Sequence, residues 1–207
     1  MVCHIVGAGN CTTLPTLRDG DFLIAADGGY LHLVRASMKP DLVIGDFDSF
    51  EGALPSGTEI VRLPVRKDDT DMLAAVKEGI GRGYRDFYFY GAVGGRADHT
   101  YANYQTLAFL SKRGLHGRIV DGGYCVSAVT NGTLTLDGAY GTVSVFAFDG
   151  TAHGVTLEGL EYPLTDAALT ADFPLGVSNH VMAHPARVTV REGTLLVMYE
   201  YGASGKE

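Results

Sequence analysis

Three clusters of acidic residues lie in the first half of the chain, each placed where a predicted buried strand should end. They are centred on Asp27, on Asp46 and Asp48, and on the segment Lys67–Asp71. In an open α/β sheet, ligands bind beyond the carboxyl ends of the strands. Carboxylates gathered there repel one another unless a cation lies between them. Because no cysteine or histidine pair accompanies them, these hard oxygen ligands favour Mg²⁺, held by one or two carboxylates and by substrate phosphates. The sequence therefore predicts metal-assisted phosphate chemistry.

The spacing of the acids indicates which of them could share a metal ion. Asp46 and Asp48 are two residues apart, so on an extended segment both would face the same side. The alternative is a turn, because Asp-x-Asp-Ser after a strand is common turn chemistry. The second cluster, Lys67-Asp68-Asp69-Thr70-Asp71, makes the metal site the better interpretation, with Asp71 as a ligand. The same segment opens a predicted helix, where acids and a capping Thr are also expected, while Lys67 is a cation placed for contact with an anion.

A glycine-rich segment follows another predicted strand and opens the next helix. It reads Gly94-Gly95-Arg96-Ala97-Asp98-His99. Glycines there allow the backbone to approach phosphate, the helix N-terminus favours anions, and Arg96 could bind a phosphate with two hydrogen bonds. The alternative is a flexible connection with Asp98 as helix cap. Gly7-Ala8-Gly9 imitates a dinucleotide fingerprint, but Thr12 occupies the third glycine position and we reject an NAD site.

Strand and helix patterns alternate up to about Asp121. This alternation predicts a mainly parallel, Rossmann-like sheet. Apolar runs predict strands buried on both faces, and i, i+3, i+4 spacing predicts a helix after Thr70 that stops near Gly81. The strands are expected at Cys3–Val6, Phe22–Ala26, Leu42–Ile44, Ile60–Leu63, Phe87–Tyr90 and Ile119–Val120, and two further helices at Gly29–Met38 and along Ala97, Tyr101, Tyr104 and Ala108.

After Tyr124 the apolar period changes from that of a helix to that of a strand. This half is expected to be antiparallel, a small β-sandwich or partly open barrel. We therefore predict two domains, residues 1–124 and 125–207. Turn signals are expected to separate the strands at Asn131-Gly132, Asp137-Gly138, Asp149-Gly150 and Glu192-Gly193.

Composition limits the classes of partner and the compartment. A formal charge of −8 over 207 residues argues against nucleic acid, whose binding surfaces are basic. Three cysteines without metal or redox spacing indicate reduced thiols and a cytoplasmic protein. The apolar N-terminus is too short for a signal peptide, and no apolar stretch is long enough for a membrane span.

Taken together, these segments resemble the thiamin pyrophosphokinase family. The resemblance runs in order through most of the chain, and its combined pattern is specific although no single piece is. It is carried by Ala26-Asp27-Gly28-Gly29, Pro40–Ser49 with its Gly45-Asp46-Phe47-Asp48-Ser49 end, Lys67-Asp68-x-Thr70-Asp71, Gly94-Gly95-Arg96-x-Asp98-His99, Leu175-Gly176-Val177-Ser178-Asn179 and Glu192–Val197.

The resemblance implies a catalytic N-terminal α/β domain, a C-terminal β-sandwich that helps to bind thiamin, and a homodimer with active sites near the subunit contact. It also implies transfer of a pyrophosphoryl group from ATP to thiamin, which yields thiamin diphosphate and AMP. His180 departs from the acid common in bacterial members. By likeness, the Mg²⁺ ligands are Asp46, Asp48 and Asp71, the nucleotide or phosphate contacts include Asp27, Gly28, Gly29, Lys67, Asp68, Thr70, Gly94, Gly95 and Arg96, and the thiamin-side loop holds Ser178 and Asn179.

Two questions stay open at the level of sequence. The acceptor of the hydroxyl proton is Asp98 or one of the metal-site aspartates. The alternatives to the kinase are a phosphohydrolase that uses Asp46 as nucleophile, and a non-catalytic module that binds thiamin or nucleotide. The phosphohydrolase is disfavoured because its Asp-x-Asp motif usually lies on the first strand, and here it follows about the third.

Overall fold

The computed structural model describes residues 1–47, 56–64, 66 and 68–202, which form an α/β fold with a mixed sheet. The chain divides into two compact units. The first contains Met1–Thr106 and Ile119–Gly122, and the second contains Leu107–Arg118 and the described residues from Gly123 on. The units differ from the predicted domains in that Leu107–Arg118 groups with the second unit. In that unit, the ammonium of Lys112 lies 2.5 Å from the carboxylate of Asp149.

The first unit alternates strands and helices along a largely parallel sheet. Its strand order is β6-β5-β1-β2-β3-β4, and the pairs β5–β1, β1–β2, β2–β3 and β3–β4 are parallel. The elements are β1 (Val2–Val6), β2 (Phe22–Ala26), α1 (Gly29–Arg35), β3 (Leu42–Gly45), β4 (Glu59–Arg62), α2 (Asp71–Gly81), β5 (Asp86–Tyr90), α3 (Ala97–Ser111) and β6 (His116–Asp121).

The central strands are buried on both faces, but the edge strand is not. All of β3 and all but the first residue of β1 and of β2 are buried, as their continuous apolar runs predict. The same expectation is wrong for β4, of which three of four residues are exposed. Among the described residues, β4 ends the strand order and pairs with β3 alone, so one long side of this strand has no neighbouring strand in that part of the chain.

The parallel arrangement brings four strand ends to one edge of the sheet. Residues Gly7, Asp27, Asp46 and Gly91 follow directly after β1, β2, β3 and β5. Helix α2 then begins at Asp71, after Thr70, whose hydroxyl accepts a hydrogen bond from the Leu73 N–H at 3.2 Å. This cap supplies a partner for one of the free N–H groups at the helix start.

The second unit is built from antiparallel strands. Long strand β12 pairs with β7, β8 and β9, while β10 pairs with β9 and β11 with β8. None of the described helices is long and apolar enough to cross a membrane. The strands are β7 (Tyr124–Thr135), β8 (Ala139–Ala147), β9 (Thr151–Glu158), β10 (Leu164–Thr170), β11 (Gly176–His180) and β12 (Arg187–Tyr201).

Two of the four expected turns are bulges inside long strands. Asn131-Gly132 lies within β7, and Glu192-Gly193 lies opposite it within β12, where the pairing register shifts between Val190 and Thr194. Asn131 has a φ of +48°, Gly193 has a φ of +108°, and the Asn131 side-chain oxygen accepts the Gly193 N–H at 2.9 Å. Residues with the left-handed conformation typical of a turn therefore form a β-bulge here, and the pairing of β7 with β12 continues on both sides of it. The Asp-Gly pairs after β7 and after β8 do connect strands.

A buried histidine ties β1 to the start of β2. His4 is 4% exposed, and its Nδ1 lies 3.1 Å from the Tyr90 hydroxyl. Its Nε2 lies 3.3 Å from an Asp21 carboxylate oxygen, and Asp21 also accepts the Val2 N–H at 2.7 Å. Burial lowers the pKa of His4, although the hydrogen bond to Asp21 acts in the opposite direction. The folded protein therefore favours a neutral His4.

Stability should consequently decrease as the pH falls below the pKa of a histidine in the unfolded chain, about 6.5. Below that pH the histidine of the unfolded chain binds a proton, whereas folded His4 stays neutral until the pH approaches its lowered pKa. The contribution of His4 to the free energy of unfolding is therefore fully present above about pH 6.5 and is lost as the pH falls toward the lowered pKa. Urea unfolding between pH 5 and 8 measures this, with His4→Asn as the variant without a titrating group. A pH slope equal to that of the wild type in His4→Asn would contradict the assignment.

Candidate active site

A cavity of about 280 Å³ lies at the carboxyl edge of the first unit's sheet. Its walls come from the turns after β1, β2 and β5 and from the starts of α2 and α3. This is the position where open α/β sheets bind ligands. The lining residues are Gly7, Ala8, Gly9, Ala26, Asp27, Thr70, Asp71, Met72, Gly91, Ala92, Val93, Gly95, Arg96, His99, Thr100 and Asn103.

Two glycine turns form one wall of the cavity and pack tightly on each other. The Gly7 N–H donates to the Tyr90 carbonyl and the Gly9 N–H to the Gly91 carbonyl, both at 2.8 Å. A Cβ on Gly9 would lie 2.7 Å from the Gly91 oxygen and 2.9 Å from the Val93 oxygen, so no side chain fits there. Sequence reasoning considered Gly7–Gly9 only as an NAD motif and missed it as part of this cavity. The glycine pair directly after the first strand was the available signal.

Acidic side chains occupy the neighbouring strand ends. Asp27 lines the cavity with a φ of +48°, and its N–H donates to the Ile44 carbonyl at 2.8 Å. A Cβ on Gly45 would lie 3.2 Å from the Cα of Asp27, so Asp46 leaves β3 directly beside Asp27. Asp71 lines the same cavity from the first turn of α2. Asp48 and Lys67 lie outside the described residues.

Arg96 lines the cavity but is held by Asp98. Its Nη2 lies 2.6 Å from Asp98 Oδ2 and its Nε 3.1 Å from Oδ1, with both side chains mostly exposed. The hydrogen bonds from Arg96 lower the pKa of Asp98. Asp98 is not among the residues lining the cavity, and a lowered pKa weakens a proton acceptor at neutral pH. Its catalytic role stays a prediction.

The other residues expected at the nucleotide divide into two groups. Thr70 and Gly95 line the cavity, whereas Asp68 is exposed and outside it. Gly28 and Gly29 begin α1, and a Cβ on Gly29 would collide with the Val6 carbonyl oxygen. Gly94 takes a φ of +73° against the side chain of Asn10. Gly28, Gly29 and Gly94 thus shape the surrounding turns, as close packing or a left-handed conformation requires.

Two polar contacts from helices were not expected from the sequence. His32 of α1 places Nε2 2.9 Å from the Gly9 carbonyl oxygen, so that nitrogen carries a proton and donates. Asn103 of α3 donates to the Ala92 carbonyl at 2.7 Å. These side chains hold the two glycine turns from opposite helices. They could not be recognised in the sequence because they act through tertiary contacts with backbone oxygens.

Ser178 and Asn179 lie in the second unit, in a strand and not in the expected loop. They belong to β11, where the pairing with β8 shifts register between Gly176 and Asn179 and Ser178 takes a φ of +58°. Asn179 is 4% exposed, and its amide donates to the Tyr162 carbonyl at 2.8 Å and accepts the Tyr162 N–H at 2.9 Å. The Asn179 side chain therefore fixes the backbone at Tyr162, while the exposed Ser178 is the better candidate for a ligand contact.

Comparison with known proteins identifies the family. The model of the thiamin pyrophosphokinase catalytic domain matches residues 15–117, and the model of the vitamin B1 binding domain of the same enzyme matches residues 133–195. The chain belongs to the thiamin pyrophosphokinase family. The thiamine pyrophosphokinase of Bacillus subtilis (strain 168) is 26% identical over 209 residues, which cover 94% of this chain and 96% of that protein.

Solved structures of the family share the fold. The thiamin pyrophosphokinase from Geobacillus thermodenitrificans is 28% identical, covers 99% of both chains and superposes with a TM-score of 0.83. The thiamine pyrophosphokinase structure from Bacillus subtilis has a TM-score of 0.86 at 23% identity, covering 97% of this chain and 99% of that one. The resemblance carried by the acidic and glycine-rich segments is thereby confirmed.

Proposed function

We propose that the cavity beside β1, β2 and β5 is the ATP site of a thiamin pyrophosphokinase. The observation that carries the proposal is that Asp27, Asp71 and two glycine turns line one cavity, next to the strand end that bears Asp46. As a thiamin pyrophosphokinase, the chain transfers a pyrophosphoryl group from its co-substrate ATP to thiamin, so the products are thiamin diphosphate and AMP.

We assign Mg²⁺ to this site, with Asp46, Asp48 and Asp71 as its ligands. The described residues contain no cluster of three His, Cys, Asp or Glu side chains that could hold a metal without other ligands. Mg²⁺ commonly needs only one or two carboxylates together with substrate phosphates, and the carboxylates at this edge fit that requirement. When bound, the ion would neutralise charge on the phosphate oxygens.

The residues of this chain mainly position the reactants. Thiamin's primary hydroxyl attacks the β-phosphorus in line with the departing AMP, and little covalent work is asked of the protein. Arg96 is available for phosphate, because an exposed ion pair such as Arg96–Asp98 is weak and easily exchanged. Lys67 is proposed as a second cation for the transferred group. The hydroxyl proton goes to Asp98 or to one of the metal-site aspartates.

The second half of the chain is proposed to complete the thiamin site. In this proposal residues 1–124 form a Rossmann-like catalytic domain, and residues 125–207 form a β-sandwich that binds thiamin through Ser178 and joins two copies in a homodimer with shared active sites. Exposed apolar side chains at Phe173, Leu175 and Val177 support an intersubunit face, because large apolar patches usually mark interaction sites. The three free cysteines support the predicted cytoplasmic location.

A product assay tests the reaction class. Incubation of the protein with ATP, Mg²⁺ and thiamin should give AMP and thiamin diphosphate in equal amounts. ADP with thiamin monophosphate would contradict pyrophosphoryl transfer. Phosphate release with a trapped aspartyl-phosphate would instead indicate the phosphohydrolase, and binding of either substrate without turnover would indicate a non-catalytic module.

A further inference from the structure

Asn103 is a buried polar side chain on the wall of the cavity. Only 7% of the residue is exposed, although it lies among the cavity-lining residues. Its Nδ2 donates to the Ala92 carbonyl at 2.7 Å. Because a carbonyl oxygen can only accept, this contact fixes which end of the amide is nitrogen. The Oδ1 oxygen must then point away from Ala92.

The Oδ1 atom keeps its capacity to accept a hydrogen bond. Within the described ranges of the chain, the Asn103 side chain makes one hydrogen bond, from Nδ2 to the Ala92 carbonyl. No group in these ranges therefore donates to Oδ1. No fully enclosed side-chain oxygen or nitrogen in these ranges lacks a partner, so Oδ1 is not fully enclosed, and Asn103 is one of the residues that line the cavity. Ionised phosphate oxygens accept hydrogen bonds and do not donate them. Asn103 therefore favours an O–H or N–H group of a ligand at this point.

The sheet order shows which part of the substrate this is. Ala92 follows β5, which is separated from β2 by β1 and from β3 by β1 and β2. With strands about 4.8 Å apart, the end of β5 is roughly 10 Å from that of β2 and roughly 14 Å from that of β3. Arg96, which we assign to phosphate, precedes α3, and Asn103 lies seven residues or roughly 10 Å further along the helix. Phosphates bound near Asp27, Asp46 and Arg96 therefore leave the nucleoside end of ATP, with its hydroxyl and amino groups, on the side of Asn103. The vitamin B1 binding model covers residues 133–195, none of which line this cavity.

We propose that Asn103 determines nucleotide specificity by accepting a hydrogen bond from a hydroxyl or amino group of the nucleoside of ATP. This inference rests on the proposal that the cavity holds ATP. The Ala92 contact keeps Oδ1 in place, so a nucleotide without the matching donor leaves a buried acceptor unpaired. An unpaired buried polar group reduces binding by roughly 10- to 100-fold.

The test compares ATP with analogues that each lack one donor: 2′-deoxy-ATP, 3′-deoxy-ATP and purine riboside triphosphate, which has no amino group. We expect kcat/KM of the wild type to fall at least about 10-fold for one of them. In Asn103→Leu, which has similar size and no acceptor, the ratio of ATP to that analogue should fall below about twofold. Thr106→Val is the matched control, because Thr106 is also buried on α3, bonds to the Ala102 carbonyl at 2.9 Å and does not line the cavity. It should keep the wild-type ratio.

Three results would overturn the inference. The first is a wild type that uses all three analogues as well as ATP, which requires no variant to fold. The second is an equal loss for ATP and every analogue in Asn103→Leu, the pattern of a purely structural residue. The third is an Asn103→Leu variant whose selectivity among the nucleotides is unchanged, but which has an altered preference for thiamin over oxythiamin, the analogue without thiamin's amino group. Asn103 would then contact thiamin and not the nucleoside. In each case, formation of AMP and thiamin diphosphate by the wild type would leave the proposed function intact, whereas its absence would reject that function separately.

Discussion

Asp71→Asn should lower turnover at least about 100-fold and leave the fold intact, and Asp46→Asn and Asp48→Asn should do the same. Loss of a group that merely orients a metal ligand already costs about 10- to 100-fold, so loss of a ligand should cost no less. Asp71 lies on the first turn of α2 and lines the cavity, so the neutral amide keeps the shape of the site and removes the charge. Mg²⁺ affinity, measured by titration with ATP present, should fall in parallel.

Asp69→Asn is the matched control for this series. Asp69 is two residues away, but its carboxylate accepts two hydrogen bonds from the Lys77 ammonium at 2.6 and 2.8 Å, and it does not line the cavity. Removing this exposed pair should cost at most about 1 kcal/mol and spare turnover. Without metal, Asp46→Asn and Asp71→Asn should be as stable as the wild type or more so, because fewer carboxylates repel one another. Near-normal rates at saturating Mg²⁺ in Asp46→Asn, Asp48→Asn and Asp71→Asn would place the metal elsewhere.

The elements that carry the site could be predicted because burial leaves a simple pattern. Strand β2 matches its expected bounds, and β1 differs by one residue, since a strand covered on both faces is apolar throughout. Helix α2 begins at Asp71 as expected, because its cap and its apolar spacing agree. The acidic residues were chosen by their type and by their expected place at strand ends and at the start of a helix, and their role as metal ligands stays a prediction.

Other features depend on contacts that a local pattern does not contain. On α3 the expected apolar face was wrong at Tyr101, which is 56% exposed, and right at Ala108, which is buried. The buried face also includes Asn103 and Thr106. Hydropathy counts Asn103 as polar, yet its amide nitrogen donates to a backbone carbonyl eleven residues earlier. The bulges at Asn131 and Gly193 were read as turns because the same left-handed residues serve both purposes.

The second large effect should come from mixing two inactive chains. Ser178 is exposed at the bulge in β11, and its N–H donates to the Ser144 hydroxyl at 3.1 Å, so a larger side chain at this position does not disturb a packed core. Ser178→Arg should therefore fold and block thiamin, because it adds bulk and a positive charge that repels the cationic thiazolium. Asp71→Asn removes the phosphate side of the site instead. Each variant alone should be nearly inactive.

If two subunits share each active site, a mixture of the two variants should recover activity. Random exchange of subunits makes about half of the dimers mixed, and each mixed dimer contains one site without a substitution, so about a quarter of the wild-type activity should return. Subunits are exchanged by dilution and reconcentration, and mixed dimers are confirmed by native mass spectrometry. The control is a mixture of Asp69→Asn with Ser178→Arg. Because the Asp69→Asn chain is itself active, this mixture should be active from the start and does not depend on the formation of mixed dimers. Mixed dimers of Asp71→Asn and Ser178→Arg that stay inactive would show that each subunit carries its own complete site, because such a dimer would then contain one defect in each of its two sites.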